Sequence, residues 1–223
     1  MTSSPGAIRR KQLENAFWMP SIQTMVSRKS SITNAFVSAI IPTIPPSIDD
    51  IEQALTILGI QPTDVRCAYC GDRATEWDHL RPLVLNRRPT GFISEIHNLV
   101  PSCGKCNQSK GNKPWRKWML SKAKYSPMGR NIGDIHDRIA RLEAYEAWRS
   151  PTRVDFETIV GRDEWESYWK LCEDVISELH RCQGVADSVR ARAAQALHRK
   201  VAGDLSSSVS GTVVAELEVH DDR

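Results

Sequence analysis

Two Cys-x-x-Cys pairs constrain this chain more than any other feature of its 223 residues. The first pair is Cys67 and Cys70, and the second is Cys103 and Cys106. Four thiolates satisfy the tetrahedral coordination of Zn²⁺, and each short loop supplies two of them. The 32 residues between the pairs exceed what a simple zinc ribbon contains. We therefore expect a structural zinc site whose two halves enclose a further element.

Polar side chains that can transfer protons or bind a metal ion lie within and just after this enclosed segment. Asp78 and His79 are adjacent, and Asn98 and Asn107 follow them. A histidine with a near-neutral pKa can take a proton from water. Carboxylate and amide oxygens are ligands that suit Mg²⁺. Singly, each of these residues is more often a cap, a turn residue or a packed side chain, but together in a four-cysteine frame they indicate a catalytic site.

The order of these residues resembles the HNH endonuclease family. The resemblance extends from Cys67 to about Trp118. It rests on Asp78-His79-Leu80, then Asn98-Leu99, then Cys103-x-x-Cys106-Asn107-x-x-Lys110-Gly111. It implies a ββα-metal fold for this segment and an enzyme that hydrolyses phosphodiester bonds in double-stranded DNA.

The resemblance also implies a role for each polar residue. His79 matches the general base, and Asn98 matches the asparagine that braces the loop carrying the histidine. Asp78 and Asn107 match the ligands of a catalytic Mg²⁺ (or Mn²⁺). Because neighbouring residues of a strand point to opposite faces, Asp78 and His79 can serve one centre only if the strand kinks at its end or one of them has a loop geometry. The resemblance implies the kink.

Hydrophobic periodicity predicts helices on both sides of this segment. The apolar stripes lie at residues 21–41, 131–148, 163–183 and 185–201, and one further helix is expected from Ser47 or Asp49 to Gly59. The segment itself predicts a strand at 74–80, a loop at 81–95, a strand at 96–101 and a helix from the second cysteine pair to about Gly111. We therefore predict an α+β, mostly helical fold, in which a small ββα-metal module with a four-cysteine zinc site is flanked by N- and C-terminal helices.

This pattern divides the chain into four expected regions. They are an N-terminal helical region (1–62), the nuclease module with its zinc site (63–124), a C-terminal helical region (125–203) and a loose tail (204–223). No signal peptide or membrane-length apolar run is evident, so we expect a cytoplasmic protein that does not associate with membranes. In that compartment Cys172 and Cys182 are expected to be buried or half-buried thiols.

Positive charge is concentrated around the predicted catalytic segment. Residues 66–130 contain 13 Lys and Arg but only 4 Asp and Glu, although the net charge of the whole chain is +3. A basic surface beside a catalytic site suits a polyanion such as DNA, while a merely solvated surface is the alternative. The candidate contacts to DNA are Arg81, Arg87, Arg88, Lys110, Lys113, Arg116 and Lys117.

Taken together, these features predict a Mg²⁺-dependent endonuclease acting on double-stranded DNA. Within that class we expect a type II restriction endonuclease, acting as a homodimer on a palindromic site and paired with a cognate methyltransferase in the host. Homing, phage, nonspecific defence and RNA-directed nucleases are alternatives. A non-catalytic, zinc-stabilised DNA-binding protein is the alternative from another class, but it would not require Asp78, His79 and Asn107 together.

Overall fold

The computed structural model describes residues 5–17 and 19–215, and the side chains of residues 9–17 and 19–200 among them. The α-helices in this part are α1 (Pro5–Ala16), α2 (Lys29–Ile40), α3 (Ile48–Leu58), α4 (Gly104–Lys110), α5 (Trp115–Met119), α6 (Ile135–Trp148), α7 (Phe156–Val160) and α8 (Arg162–Ala215). The strands are β1 (Glu76–His79), β2 (Val84–Leu85), β3 (Arg88–Pro89) and β4 (Leu99–Ser102).

An antiparallel ribbon of β1 and β4 lies at the centre of the module. Glu76 pairs with Ser102 and His79 pairs with Leu99, and β4 leads directly into α4. The connection between the strands contains the small β2–β3 hairpin and a 3₁₀ turn at Ile96–Asn98. The predicted order of strand, loop, strand and helix is confirmed, as is the α+β, mostly helical class. The second strand starts later than predicted because residues 96–98 form the 3₁₀ turn.

Helices α3, α5 and α6 supply the apolar core that the ribbon lacks. A two-stranded ribbon alone is only marginally stable in water. Val100 from β4, Trp118 from α5 and Leu142 from α6 are buried in one cluster, to which α3 contributes Leu58. The Trp118 ring also packs edge-to-face on Tyr69, with ring centroids 5.2 Å apart. The flanking helices are therefore part of the core of the module.

Local signals define both ends of α3. The Ser47 hydroxyl accepts a hydrogen bond from the Asp50 amide at 3.1 Å, and the Asp50 carboxylate reaches back to the Ser47 amide. This reciprocal capping box satisfies N–H groups that an uncapped helix leaves without partners. Gly59 ends the helix with φ +66°, a left-handed conformation that costs glycine little. The predicted start at Ser47 and stop at Gly59 are confirmed.

The C-terminal part of the chain differs from the sequence prediction. One helix, α8, runs from Arg162 to Ala215. We predicted two helices in this range and a loose tail from residue 204. Residues 216–223 of the predicted tail lie outside the described residues. The range of α8 contains no proline, and a glycine such as Gly184 or Gly203 inside a helix costs only about 1 kcal/mol, so neither ends it. Among the described helices, none combines the length and the apolar composition needed to cross a membrane.

The backbone forms two compact units that do not follow the predicted region boundaries. Ser30–Val175 form one unit, and the other consists of residues before 30 and after 175. The predicted boundaries at 62 and 124 fall inside the first unit, because its core draws on helices from both sides of the ribbon. In the second unit, the Met25 amide donates to Oε1 of Gln183 at 2.7 Å. The four-region division itself stays a prediction.

Replacing Tyr145 by phenylalanine tests how α6 is fixed to the ribbon. The hydroxyl of Tyr145, which is 1% exposed, contacts the carbonyl oxygen of Ile96 and lies 2.8 Å from that of Leu99. Tyr145→Phe should lower the free energy of unfolding in urea by about 1–3 kcal/mol, because two partly buried carbonyls lose the donor that Tyr145 supplies and that of Ile96 keeps only the Leu99 amide. Tyr168→Phe is the matched control: its half-buried hydroxyl donates to the Phe36 carbonyl at 2.7 Å, and water can replace it. Equal losses of unfolding free energy in Tyr145→Phe and Tyr168→Phe would contradict the role of the Tyr145 hydroxyl in fixing α6 to the ribbon.

Candidate zinc centre and active site

The four motif cysteines converge on one buried point. Their Sγ atoms all lie within 4.8 Å of one another, and that of Cys70 is 3.7 Å from that of Cys103. Tetrahedral zinc with Zn–S bonds of about 2.3 Å places its sulfurs about 3.8 Å apart. The cluster therefore fits Zn²⁺, and four thiolates leave no coordination position for a reacting water.

Basic side chains and backbone bonds surround the cysteine cluster. A guanidinium nitrogen of Arg130 lies 3.7 Å from Sγ of Cys106, and the same side chain pairs with Asp72 at 2.7 Å. A guanidinium beside the cluster offsets the net negative charge of a zinc ion with four thiolates. The amide of Ala68 donates to the carbonyl of Pro101 at 2.8 Å, which ties the first cysteine loop to β4.

Asp78 forms a buried ion pair that the sequence did not predict. Nζ of Lys110 lies 3.0 Å from Oδ2 and 3.2 Å from Oδ1 of Asp78, and the hydroxyl of Tyr69 donates to Oδ2 at 2.6 Å. Lys110 is 0% exposed and Asp78 is 5% exposed. Burial raises the pKa of the Asp78 carboxyl and lowers the pKa of Lys110, while each partner opposes the shift of the other. Lys110 is therefore a structural partner of Asp78.

His79 ends β1 and directs its side chain to other partners. Its Nε2 lies 2.9 Å from the hydroxyl oxygen of Ser94, and its backbone carbonyl accepts from Nζ of Lys110 at 2.8 Å. Burial, with a smaller contribution from the Lys110 charge, lowers the pKa of His79 to about 4. The imidazole is therefore neutral near pH 7, which is the form that can accept a proton.

Asn98 fixes the backbone that follows His79. Its side-chain oxygen accepts from the Arg81 amide at 2.8 Å, and its Nδ2 donates to the Arg81 carbonyl at 3.1 Å. The Leu80 amide donates to the Asn98 carbonyl at 2.8 Å. Because Asn98 is fully buried, these bonds do not exchange readily with water. Asn98 thus holds the residues directly after the histidine.

Asn107 contacts a carboxylate that sequence reasoning missed. Its Nδ2 donates to Oε2 of Glu76 at 2.6 Å. Glu76 precedes Asp78 by two positions on β1, so both side chains belong to the same face of the strand. The alternation of β1 was the available signal for Glu76, although its contact with Asn107 spans 31 positions of the sequence. No hydrogen bond joins Asp78 directly to Asn107 among the described residues.

The donor chemistry of this face fits a hard divalent cation. Glu76 lies close enough to Asp78 for its charge to raise the pKa of the Asp78 carboxyl further, after the larger effect of burial. The carboxylate of Asp78 and the amide oxygen of Asn107 are of the oxygen-ligand type that Mg²⁺ prefers, with water completing its shell. Asp78 and Asn107 would hold the ion, which would supply charge neutralisation at a phosphate.

The predicted DNA contacts occupy different environments. Arg81 pairs with Glu146 at 3.0 Å, and Arg88 pairs with Glu173 at 3.4 Å and lies over the Trp169 ring. Arg87 (φ +64°) and Asn86 (φ +50°) form the turn of the β2–β3 hairpin, and Arg87 is exposed there. Both central residues having positive φ is typical of a type I′ turn.

The predicted contacts after α4 separate into exposed and buried residues. Lys113, Arg116 and Lys117 are exposed, and Arg116 pairs with Glu143. Lys110 was predicted to contact phosphate, and this is corrected. Its ammonium group is fully buried against Asp78, so it is not accessible to a DNA backbone.

Substituting one cluster cysteine tests the zinc centre. Cys106→Ser should lower bound zinc from one ion per chain to well below one and destabilise the fold, because Zn²⁺ loses a thiolate. Elemental analysis by mass spectrometry measures the metal. Cys172→Ser is the matched control, since Cys172 is equally buried but lies outside the cluster. Full zinc content in Cys106→Ser would exclude the four-thiolate site.

Replacing Lys110 tests the buried ion pair. Lys110→Met should lower the free energy of unfolding by about 3–5 kcal/mol, because the Asp78 carboxylate stays buried without its counter-charge. The measurement is urea unfolding of the zinc-loaded protein. Lys113→Met should change stability by less than about 0.5 kcal/mol, since that side chain is exposed. If Lys110→Met loses no more unfolding free energy than Lys113→Met, the structural role of Lys110 is refuted.

Comparison with known proteins agrees with this geometry. The family model for the HNH endonuclease matches residues 67–113. The CRISPR-associated endonuclease Cas9 of Corynebacterium diphtheriae is 41% identical over 63 residues, which cover 26% of this chain and 5% of the length of that protein. No solved structure matches the chain significantly. The cysteine cluster, the ribbon and α4 thus belong to a recognised unit, and residues 67–113 are an HNH endonuclease domain.

Proposed function

We propose that this protein is a metal-dependent endonuclease that hydrolyses phosphodiester bonds in double-stranded DNA. The observation that carries the proposal is a neutral, half-buried His79 directly after Asp78 at the end of β1, within an HNH domain. His79 acts as the general base, and Asp78 and Asn107 hold Mg²⁺ or Mn²⁺.

Each side chain has a defined part in the proposed reaction. Nε2 of His79 lies 2.9 Å from the hydroxyl oxygen of Ser94, and the direction of this hydrogen bond depends on the histidine tautomer. In the proposed reaction Ser94 holds Nε2, and the lone pair of Nδ1 takes a proton from the attacking water. Asn98 keeps the backbone after His79 in place, so the imidazole does not need to reorganise. Asp78 and Asn107 would hold the divalent cation, which would supply charge neutralisation at the phosphate and at the leaving 3′ oxygen.

Charge supports DNA as the substrate. The segment from residue 66 to residue 130, which contains the site, has 13 Lys and Arg but only 4 Asp and Glu. Arg87 is exposed at the tip of its hairpin, and Lys117 is exposed on α5. We propose these two, with Arg81, Arg88, Lys113 and Arg116, as contacts to the phosphate backbone or to base edges.

We further propose a type II restriction endonuclease as the specific role. The HNH domain is small and has helices before and after it, and these could read a sequence while the domain cuts. A homodimer would match a palindromic site, and a cognate methyltransferase would protect the host DNA. Such an enzyme acts in the cytoplasm, where thiols stay reduced for zinc.

Digestion of phage λ DNA tests this function. The zinc-loaded protein is incubated with Mg²⁺, with EDTA in place of Mg²⁺ as a control. Discrete bands that EDTA prevents are expected for a restriction enzyme. A smear would indicate a nonspecific, homing or phage-type nuclease and overturn the specific role. DNA binding without cutting in Mg²⁺ or Mn²⁺ would favour the non-catalytic binding protein.

Removing the base should stop cleavage without removing the fold. His79→Ala should lower the rate of plasmid linearisation by about 10²–10⁴-fold, because no group then takes the proton from water. Zinc content and DNA affinity should be unchanged. His136→Ala is the matched control, because His136 is an exposed histidine on α6. Normal cleavage by His79→Ala would show that the base is another group.

A further inference from the structure

We propose that Glu76 is a positioning residue that fixes the orientation of the Asn107 amide and thereby directs its oxygen toward the catalytic cation. This inference rests on the proposed function, since it concerns the same cation. It adds a residue that neither the motif nor the family comparison assigns.

The chemistry of the Glu76–Asn107 contact determines the direction of the amide. An asparagine side chain has a donating end, Nδ2, and an accepting end, Oδ1, of nearly equal size. An ionised carboxylate can only accept, so Glu76 binds Nδ2, at 2.6 Å from Oε2. Oδ1 of Asn107 therefore points away from Glu76. With a neutral partner at position 76, either end of the amide could face it.

The surroundings of Glu76 are shaped to admit its carboxylate. A Cβ atom at Gly104, the first residue of α4, would lie 2.9 Å from Oε1 of Glu76. That separation is too short for a carbon and an oxygen that are not bonded to each other. Glycine at position 104 therefore allows the carboxylate to approach α4, the helix that carries Asn107.

The position of Glu76 also links it to Asp78. Both residues belong to one face of β1, and the charge of Glu76 acts on the Asp78 carboxyl. Asp78 already has Lys110 as a buried positive partner, which weakens its attraction for a second cation. The carboxylate of Glu76 offsets that effect. Glu76 thus acts on the cation in two ways, by orienting Asn107 and by adding negative charge.

Equilibrium binding of Mn²⁺ to the zinc-loaded protein tests the inference without relying on activity. Free Mn²⁺ is measured by electron paramagnetic resonance for the wild type and for Glu76→Gln, which keeps the shape but removes the charge. We expect the dissociation constant to rise about 10–100-fold in Glu76→Gln, the range typical of residues that orient metal ligands. Glu52→Gln, at an exposed glutamate on α3, is the control and should bind as the wild type does.

Two further variants separate positioning from a general structural role. Gly104→Ala should weaken Mn²⁺ binding without changing any charge, because its Cβ displaces the Glu76 carboxylate. Glu76→Asp, which keeps the charge on a shorter side chain, should recover part of the affinity lost in Glu76→Gln. Raising the Mg²⁺ concentration should restore cleavage by Glu76→Gln, whereas it should not restore cleavage by His79→Ala. Zinc content and circular dichroism confirm the fold of each variant.

The outcomes distinguish this inference from the proposed function. The first outcome is that the wild type binds Mn²⁺ and cuts DNA, and that folded Glu76→Gln and Gly104→Ala bind Mn²⁺ as tightly as the wild type. This outcome would overturn the role of Glu76 and leave the nuclease assignment intact. Wild-type protein that neither binds Mn²⁺ nor cuts DNA would overturn the proposed function and this inference with it. Because Glu76 is exposed, Glu76→Gln should fold, and unchanged binding by that variant is sufficient to reject the role.

Discussion

The convergence of four cysteines is the constraint on which the geometry of this domain depends. It joins the loop before β1, through Cys67 and Cys70, to the first turn of α4, through Cys103 and Cys106. Zinc–sulfur bonds have nearly fixed lengths and angles, so a zinc ion at this point sets the position of α4 relative to the ribbon. His79 lies on β1 and Asn107 lies on α4. Their relative position therefore follows from the metal cluster more than from the small apolar area that a two-stranded ribbon can bury.

The buried ammonium of Lys110 also fixes the positions of groups in the site. An ammonium group has three donor hydrogens, and this one contacts Asp78, the carbonyl of His79 and the carbonyl of Gly111. Each donor therefore has a partner, which is the condition under which a buried charge is tolerated. An apolar side chain could fill the same volume with a smaller desolvation cost, but it could not hold a carboxylate and two backbone carbonyls at fixed distances. The pair contributes geometry to the site rather than a large net stabilisation.

The sequence predicted those features that depend on local signals and short spacings. The two cysteine pairs, the order of the ribbon and α4, and the ends of α3 at Ser47 and Gly59 all belong to this group. The misassignment of Lys110 has a different origin: a sequence records charge but not burial, and an interior lysine has the same letter as one on the surface. The contact between Glu76 and Asn107 was missed because its partners are distant in the chain. The length of α8 was missed because the serine run at residues 206–210 and the acidic end of the chain suggested a loose tail, whereas the helix continues to Ala215.

The balance of charge around Asp78 limits how tightly the site can hold a cation by itself. A carboxylate has about four lone-pair positions. In Asp78, Oδ2 receives both Tyr69 and Lys110, while Oδ1 receives only the longer contact from Lys110, at 3.2 Å. On the proposed function, Oδ1 would provide the position for the metal ion, and the buried ammonium would repel that ion. A DNA phosphate next to the site would supply the missing negative charge and an additional oxygen ligand. Binding of DNA and binding of the cation should accordingly strengthen each other, and by thermodynamic linkage they must do so by the same factor. On the proposed function, a site arranged in this way would acquire its full catalytic charge only when the bond to be cut is in place.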